Sequence, residues 1–431
     1  MSSLKKWFVV AFKLSIPFVL WMGLAAPSFA PKGYKADFLM DSVAMRDPNA
    51  RPLSMSGSFF DRQGYKPVID TAVEDIYKAL AEHKLDEALK STDALLKEFP
   101  NFKVAHLLRG DILSMKSGRI IKQIGDIPNL PSAKKDDLEK LRDEAYARFK
   151  AVKDRPKKDL LPSELMVLNR DQKYIILVDT GRSRLFLYEN SFPHPRLVTD
   201  FYVSQGKLGA VKEREGDKKT PIGVYRITEL LPKEKLTDFY GPMALPINYP
   251  NSWDKRHGKT GYGIWLHGMP AKYASRPPRD SDGCVVLANQ DLLALKDFVD
   301  IGSTQVIISE NLDFVPVELW KGQRQAALKM VKAWRDDLES SLQTAMRHYS
   351  AEVVIDGMQL TEWRNQLPQI PKGLGKVKIE EVSVVKYPSP DDMMLVSFEQ
   401  NDAQFGQVHK EQYWKKIGTR WQIVQEQSTK L

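Results

Sequence analysis

The 431-residue chain contains a single cysteine, Cys284, in the segment Ser281-Asp282-Gly283-Cys284-Val285-Val286-Leu287. A thiol titrates near pH ~8.5 when unperturbed, so it becomes a useful nucleophile at neutral pH only beside a base or a cation. Upstream, Gly263-Ile264-Trp265-Leu266-His267-Gly268 carries an imidazole at the end of a short apolar run with strand character, and Gly268 lets the backbone turn there. His267 is therefore the candidate base for Cys284. Attack on a carbonyl also requires donors for the developing oxyanion, and the N–H groups of Gly283 and Cys284 are the candidates. A free cysteine is most often a small buried hydrophobe and a lone histidine a hydrogen-bonded structural residue. The surrounding glycines and the ordered segments upstream reverse that balance.

Those segments are Lys219-Thr220-Pro221-Ile222-Gly223-Val224-Tyr225, Tyr240-Gly241-Pro242-Met243-Ala244-Leu245 and Asn248-Tyr249-Pro250-Asn251. With His267-Gly268 and Ser281-x-Gly283-Cys284 they resemble the L,D-transpeptidase family, also called the YkuD fold, over about residues 172–309. The resemblance implies a mostly-β catalytic domain. It further implies that Cys284 attacks the bond between the third, diamino acid residue and the fourth, D-alanine residue of a peptidoglycan stem peptide, with His267 as general base and acid. An acceptor amine then gives a 3–3 cross-link, and water in its place gives an L,D-carboxypeptidase. A third reading, a non-catalytic cell-wall scaffold, is disfavoured by the intact His267, Gly283 and Cys284. The sequence departs from the family pattern at Asp282, where histidine is frequent, and at Val286, where arginine or another polar residue is frequent. Another cation must then meet a substrate carboxylate, and Arg256, Arg276 and Arg279 are the candidates. Gly268, Ser281 and Asp282 complete the candidate substrate-binding set. Asp282 disfavours a thiolate unless it is solvated or faces a substrate ammonium.

Composition agrees with an envelope protein. The chain is long enough for about three domains, and 42% hydrophobic with 10% aromatic residues is globular. The formal net charge is +9, of which Lys5, Lys6 and Lys13 stand in an N-terminal leader. No nucleic-acid motif or dense basic block accompanies the charge, so nucleic acid is not an expected partner. The seven histidines form no ligand-spaced cluster with the cysteine, so neither a metal nor another cofactor is expected. Residues 1–30 read as a signal peptide, or as a signal anchor if uncleaved, and direct export to the periplasm or cell envelope. With one cysteine no intramolecular disulfide forms, and the thiol stays free after export.

The remaining chain divides by pattern. Residues 31–66 read as a linker. Residues 67–153 have helical periodicity, with Ala88, Pro100 and Gly110 where a ~34-residue tetratricopeptide repeat places its small residues and terminal proline. This tetratricopeptide-like region reads equally as a groove for a protein partner or as a structural cap. Its last helix, Ser132 to Lys153, reads as having a solvated charged face. Strands follow from Tyr174 to Ile227, and a helix from Asn289 to Phe298 leads to a last strand over Val299 to Ile308. Residues 318–431 read as a separate unit, one long helix over Gln323 to His348 followed by alternating strands, with a hairpin turn at Lys416-Ile417-Gly418. That order resembles the α+β cone of nuclear transport factor 2-like domains. No aspartate–histidine pair of the kind used inside some such cones is evident, and the unit is expected to bury its own core.

Overall fold

The computed structural model describes residues 65–274, 276–366, 375–402 and 406–430. The leader expected over residues 1–30 and nearly all of the linker expected over 31–66 lie outside the described residues. Among the described residues no helix is long and apolar enough to cross a membrane.

Helices Val68–Ala81, Leu85–Glu98 and Lys103–Lys116 come first in the chain, and Lys135–Lys153 packs against the first and third of them. Apolar residues at helical spacing, among them Ile69, Val73, Ile76, Ala88, Leu108 and Ile112, build their common core. The expected solvated face of the last helix is not fully solvated: Glu144 and Arg148 are buried. Arg148 bonds Glu144 at 2.9 Å, pairs with Asp70 and lies 3.9 Å from the Tyr202 ring centroid. Asp70 also accepts from Arg184 at 2.6 Å and from the Tyr202 N–H at 3.1 Å. Buried charges persist only when paired and hydrogen-bonded, so this cluster fixes the helical region against the catalytic sheet.

In the central region, expected to be catalytic, two sheets enclose one core, beside a two-stranded pair of Gln205–Gly206 with Arg279–Ser281. The larger has the strand order Arg196–Tyr202, Arg184–Glu189, Tyr174–Asp179, Gln305–Ser309, Gly223–Arg226. The smaller runs Val285–Val286, Trp265–His267, Met243–Pro246, Leu231–Pro232. Leu266, Val285 and Leu287 from the small sheet pack with Ile176, Leu185 and Val306 from the large one. The last strand is shorter than expected, because Thr304 and its neighbours form a turn closed by Thr304 N–H to the Asp300 carbonyl at 2.9 Å.

The C-terminal region is a helix on a curved seven-stranded sheet, ordered Met358–Gln359, Tyr349–Ile355, Arg420–Lys430, Gly406–Ile417, Met393–Asp402, Lys378–Lys386, Leu165–Val167. The long helix ends earlier than its apolar stripe suggests. It spans Val317–Ser340, then Ser341 turns extended and caps a new short helix through its side chain to the Thr344 N–H. Strand Tyr349–Ile355 follows, which the sequence pattern did not reveal. The expected hairpin at Lys416-Ile417-Gly418 is present, with Gly418 at φ 60°.

The C-terminal unit buries its own core, with Trp334, Val384, Phe398, Trp414 and Ile423 among its members, but it is not self-contained, in two respects. Its sheet takes its edge strand, Leu165–Val167, from before the catalytic region. Its convex face, through Val385, Tyr387, Met393, Leu395, Tyr413 and Val424, shares a core with Ile175, Leu177, Phe186 and Ile307 of the catalytic sheet. A buried apolar side chain contributes about 1.5–3 kcal/mol, so this interface couples the stability of the two regions.

Candidate active site

The small sheet brings the two candidate catalytic residues together. Strands Trp265–His267 and Val285–Val286 are parallel neighbours, with Leu266 opposite Val285 and His267 opposite Val286. Side chains alternate along a strand, so Trp265 and His267 share one face, and Cys284, one residue before Val285, stands level with Trp265 on that face. The thiol donates to the Gly263 carbonyl at 3.4 Å and lies against the Trp265 N–H.

His267 is buried, with 1% exposure. Its Nδ1 lies 2.6 Å from the Gly268 carbonyl, which can only accept, so Nδ1 carries the proton and Nε2 keeps its lone pair. Burial pushes the imidazole down to about 4, helped by the positive Arg276 and opposed by the Gly268 bond. Burial pushes the Cys284 thiol up to about 11, against the Trp265 N–H and Arg276, which favour the thiolate. At neutral pH the resting pair is therefore a neutral thiol and a neutral imidazole. It is poised for proton transfer during attack rather than stored as an ion pair.

The turn before Cys284 assigns its two N–H groups differently. Gly283 has φ +130°, and a Cβ there would sit 2.8 Å from the Lys219 carbonyl, so only glycine fits without a shift. Its N–H donates to Ser281 Oγ at 3.1 Å, and the Ser281 hydroxyl donates to the Cys284 carbonyl at 2.6 Å. Gly283 therefore shapes the turn instead of presenting the expected oxyanion donor, and Ser281 is a brace. Thr220, fully buried, donates to the Gly283 carbonyl at 3.0 Å and accepts the Gly206 N–H at 3.0 Å. Carbonyl and N–H of one trans peptide point in opposite directions, so Thr220 aims the Cys284 N–H. Among the described residues that N–H has no acceptor, which leaves it available for an oxyanion.

A Cβ at Gly268 would lie 2.2 Å from Asn289 Oδ1, so a side chain there displaces the Asn289 amide. Asn289 clasps the following residue, accepting from the Met269 N–H at 2.8 Å and donating to its carbonyl at 2.9 Å. Tyr240 covers the pair, its ring centroid 5.1 Å from that of His267 and 4.8 Å from that of Trp265. Burial and the neighbouring Cys284 both raise the Tyr240 hydroxyl above its ordinary pKa, keeping it a neutral donor. Thr220 and Tyr240 stand in the quoted sequence blocks without a role assigned to them there. Asn289, at the start of a helix, gave no sequence signal.

Of the three arginines, Arg276 alone acts electrostatically on both His267 and Cys284. It is held by Asp280, whose carboxylate lies 3.1 Å from its Nε and whose carbonyl lies 2.6 Å from its Nη2. Arg279 is exposed on the strand Arg279–Ser281 that pairs with Gln205–Gly206. Arg256 is not brought to the cleft: it donates to the Val424 carbonyl and, at 3.0 Å, to the Glu352 carbonyl of the C-terminal region. Asp282 is exposed and sits 3.3 Å from the Lys207 ammonium, so its effect on the thiol is screened. In the C-terminal region one aspartate and one histidine do meet, although neither lines a described cavity. His348 Nε2 lies 2.6 Å from Asp337, which also binds Arg347 at 2.5 Å.

Residues 173–308 match the family model of the YkuD L,D-transpeptidase catalytic domain. The chain contains an L,D-transpeptidase catalytic domain of the YkuD family. Residues 326–427 match the Cds6 C-terminal NTF2-like domain, which the C-terminal helix and sheet build. Among solved structures, Bd1075 of Bdellovibrio bacteriovorus is 27% identical, with a TM-score of 0.56 over 63% of this chain and 99% of that one. The helical cell shape determining protein Pgp2 of Campylobacter jejuni shares the fold at 24% identity, with a TM-score of 0.52 over 65% of this chain and 99% of that one. YafK of Escherichia coli (strain K12), named as an L,D-transpeptidase, is 32% identical over 96 residues. That match spans 22% of this chain and about a third, 33%, of YafK.

Proposed function

We propose that the protein is a cysteine acyltransferase acting on peptidoglycan stem tetrapeptides in the cell envelope, with Cys284 as nucleophile and His267 as general base and acid. The observation that carries this reading is the Cys284–His267 face of the small sheet, where an imidazole protonated at Nδ1 accompanies the thiol and, among the described residues, the Cys284 N–H has no acceptor. His267 Nε2 takes the thiol proton as sulfur bonds to the carbonyl carbon of the third residue. The oxyanion then accepts from the Cys284 N–H, with Tyr240 as a neighbouring donor. Collapse breaks the bond to D-alanine, which leaves with the proton from His267, and the acyl group remains on sulfur as a thioester. Arg276 is suited to hold a substrate carboxylate. An incoming amine or water loses its proton to Nε2, forms the new acyl bond and returns the thiol.

The match to a Cds6 C-terminal domain favours a second fate for the thioester, hydrolysis. This domain order resembles a cell-shape subgroup known for trimming tetrapeptides to tripeptides. Mass spectrometry of muropeptides incubated with the protein separates the fates. Tripeptide alone means hydrolysis, and 3–3 dimers mean transfer. Neither product with wild type, or both with Cys284→Ala, overturns the assignment. The leader would deliver the protein to the envelope, and the helical region would offer its outer face to a protein partner.

A further inference from the structure

Arg276 stands in the segment between Met269 and Arg279, which joins the His267 strand to the strand Arg279–Ser281. Pro270, Pro277 and Pro278 lack a backbone N–H, and among the described residues only the bond from the Tyr273 N–H to the Pro270 carbonyl, at 2.9 Å, is internal to the backbone of the segment. Its conformation is therefore set from outside. Asn289 fixes one end through Met269, and the Gln205 N–H, donating to the Pro278 carbonyl at 2.8 Å, fixes the other. The middle rests on the helical region. Asn101 Nδ2 donates to the Lys272 carbonyl at 3.2 Å, and Ala274 packs against the core of the helices. Arg276 itself is met by Tyr202, whose hydroxyl donates to its carbonyl at 2.9 Å.

Tyr202 is clamped in turn. The Arg148 guanidinium stands 3.9 Å from its ring centroid and Asp70 accepts from its N–H, both from the helical region. Tyr202 is buried, so its hydroxyl reaches Arg276 from a rigid base. The Arg276 side chain is braced by Asp280 and by Phe239, whose ring centroid lies 5.7 Å from the guanidinium carbon and 5.9 Å from the His267 ring. That shared neighbour places the guanidinium on the cleft beside the bond to be cut, where a leaving D-alanine carries its carboxylate. A side chain on a loop binds well only if the loop is held before the ligand arrives. We infer that Tyr202 is a positioning residue, which together with the helical region holds the Arg276 segment so that the guanidinium meets the terminal carboxylate of the substrate. The inference rests on the proposed function, and it gives the N-terminal helices a role in substrate recognition within the chain, separate from any protein partner.

Steady-state kinetics of the full chain on two soluble tetrapeptides test this, one ending in D-alanine and the other in its carboxamide, which has no terminal charge. Tyr202→Phe removes the hydroxyl and keeps the ring beside Arg148. KM for the carboxylate peptide should rise about three- to tenfold, the range of one lost hydrogen bond, while KM for the carboxamide changes by less than about twofold and kcat holds for both. A general loss of fold would slow both peptides alike. In Arg276→Gln the preference for the carboxylate peptide should fall, and adding Tyr202→Phe should then cost nothing more. Should Tyr202→Phe lose its near-ultraviolet circular dichroism, Asn101→Ala, at an exposed contact to the same segment, decides, with a fall in preference of about twofold. Equal slowing of both peptides, an unchanged ratio of their KM values, or a further loss on the Arg276→Gln background overturns the inference. Absence of wild-type turnover on both peptides sinks the proposed function together with it, and turnover without the split sinks the inference alone.

Discussion

Replacing Thr220 with valine tests whether the orientation of one peptide plane limits catalysis. The hydroxyl makes two buried bonds of 3.0 Å, to the Gly283 carbonyl and from the Gly206 N–H. Valine keeps the volume and leaves both backbone groups unpaired. Each orphaned buried group costs about 1–3 kcal/mol and there are two, so a stability loss of about 2–6 kcal/mol is expected. The domain should remain folded, because a large core is shared between its sheets. Catalysis should suffer separately. Removing an oxyanion donor costs about 10²–10³ in kcat; freeing the Gly283–Cys284 peptide misaligns the donor without deleting it, so about 10–10² is expected. KM should change little, since Thr220 is fully buried and its hydroxyl serves the backbone. The assay is steady-state release of D-alanine from a soluble tetrapeptide, with Thr220→Ser as the control that retains the hydroxyl. Full kcat in the valine variant, or equal damage in both variants, would refute the positioning role.

Three further outcomes follow from the geometry. With the thiol at about 11 and the imidazole at about 4, the rate of Cys284 alkylation by iodoacetamide should keep rising with pH well above 8; a plateau near neutrality would mean a stored ion pair. Ending the chain before Val317 should expose Phe186, Leu177 and Ile307 and yield aggregated or strongly destabilised protein, against the independence the pattern suggests, and a soluble monomer with full thermal stability would disprove the shared core. Asp291 is 3% exposed, accepts from Tyr65 at 3.0 Å, and is raised to about 7 by burial and by the negative Asp70. A raised folded pKa gives stability that is complete below the unfolded value near 3.8 and disappears as pH climbs through about 7. Asp291→Asn should therefore remove about 2–4 kcal/mol of pH-dependent loss between pH ~4 and ~7, read by urea unfolding; identical pH slopes for both proteins would contradict the assignment.

The catalytic fold and the two residues proposed as nucleophile and base were legible in the chain because they reside in short contiguous segments. Gly263 to Gly268 and Ser281 to Leu287 carry their glycines at the positions where the backbone must turn, and strand alternation follows from apolar spacing. The C-terminal hairpin at Lys416-Ile417-Gly418 was legible for the same reason. What the tertiary structure decided depends on partners distant in sequence. Thr220 reaches Gly283 and Asn289 reaches Met269 only after the sheets close, so no local pattern announces either contact. The Gly283 N–H is lost to Ser281 because of how that turn curls, and Arg256 is turned away because the C-terminal sheet offers it two carbonyls. The edge strand Leu165–Val167 is three residues long, below the length at which alternation is readable, and it joins a sheet whose other strands begin nearly two hundred positions later. The shifts on His267 and Cys284 likewise come from burial, which spacing along a chain does not encode.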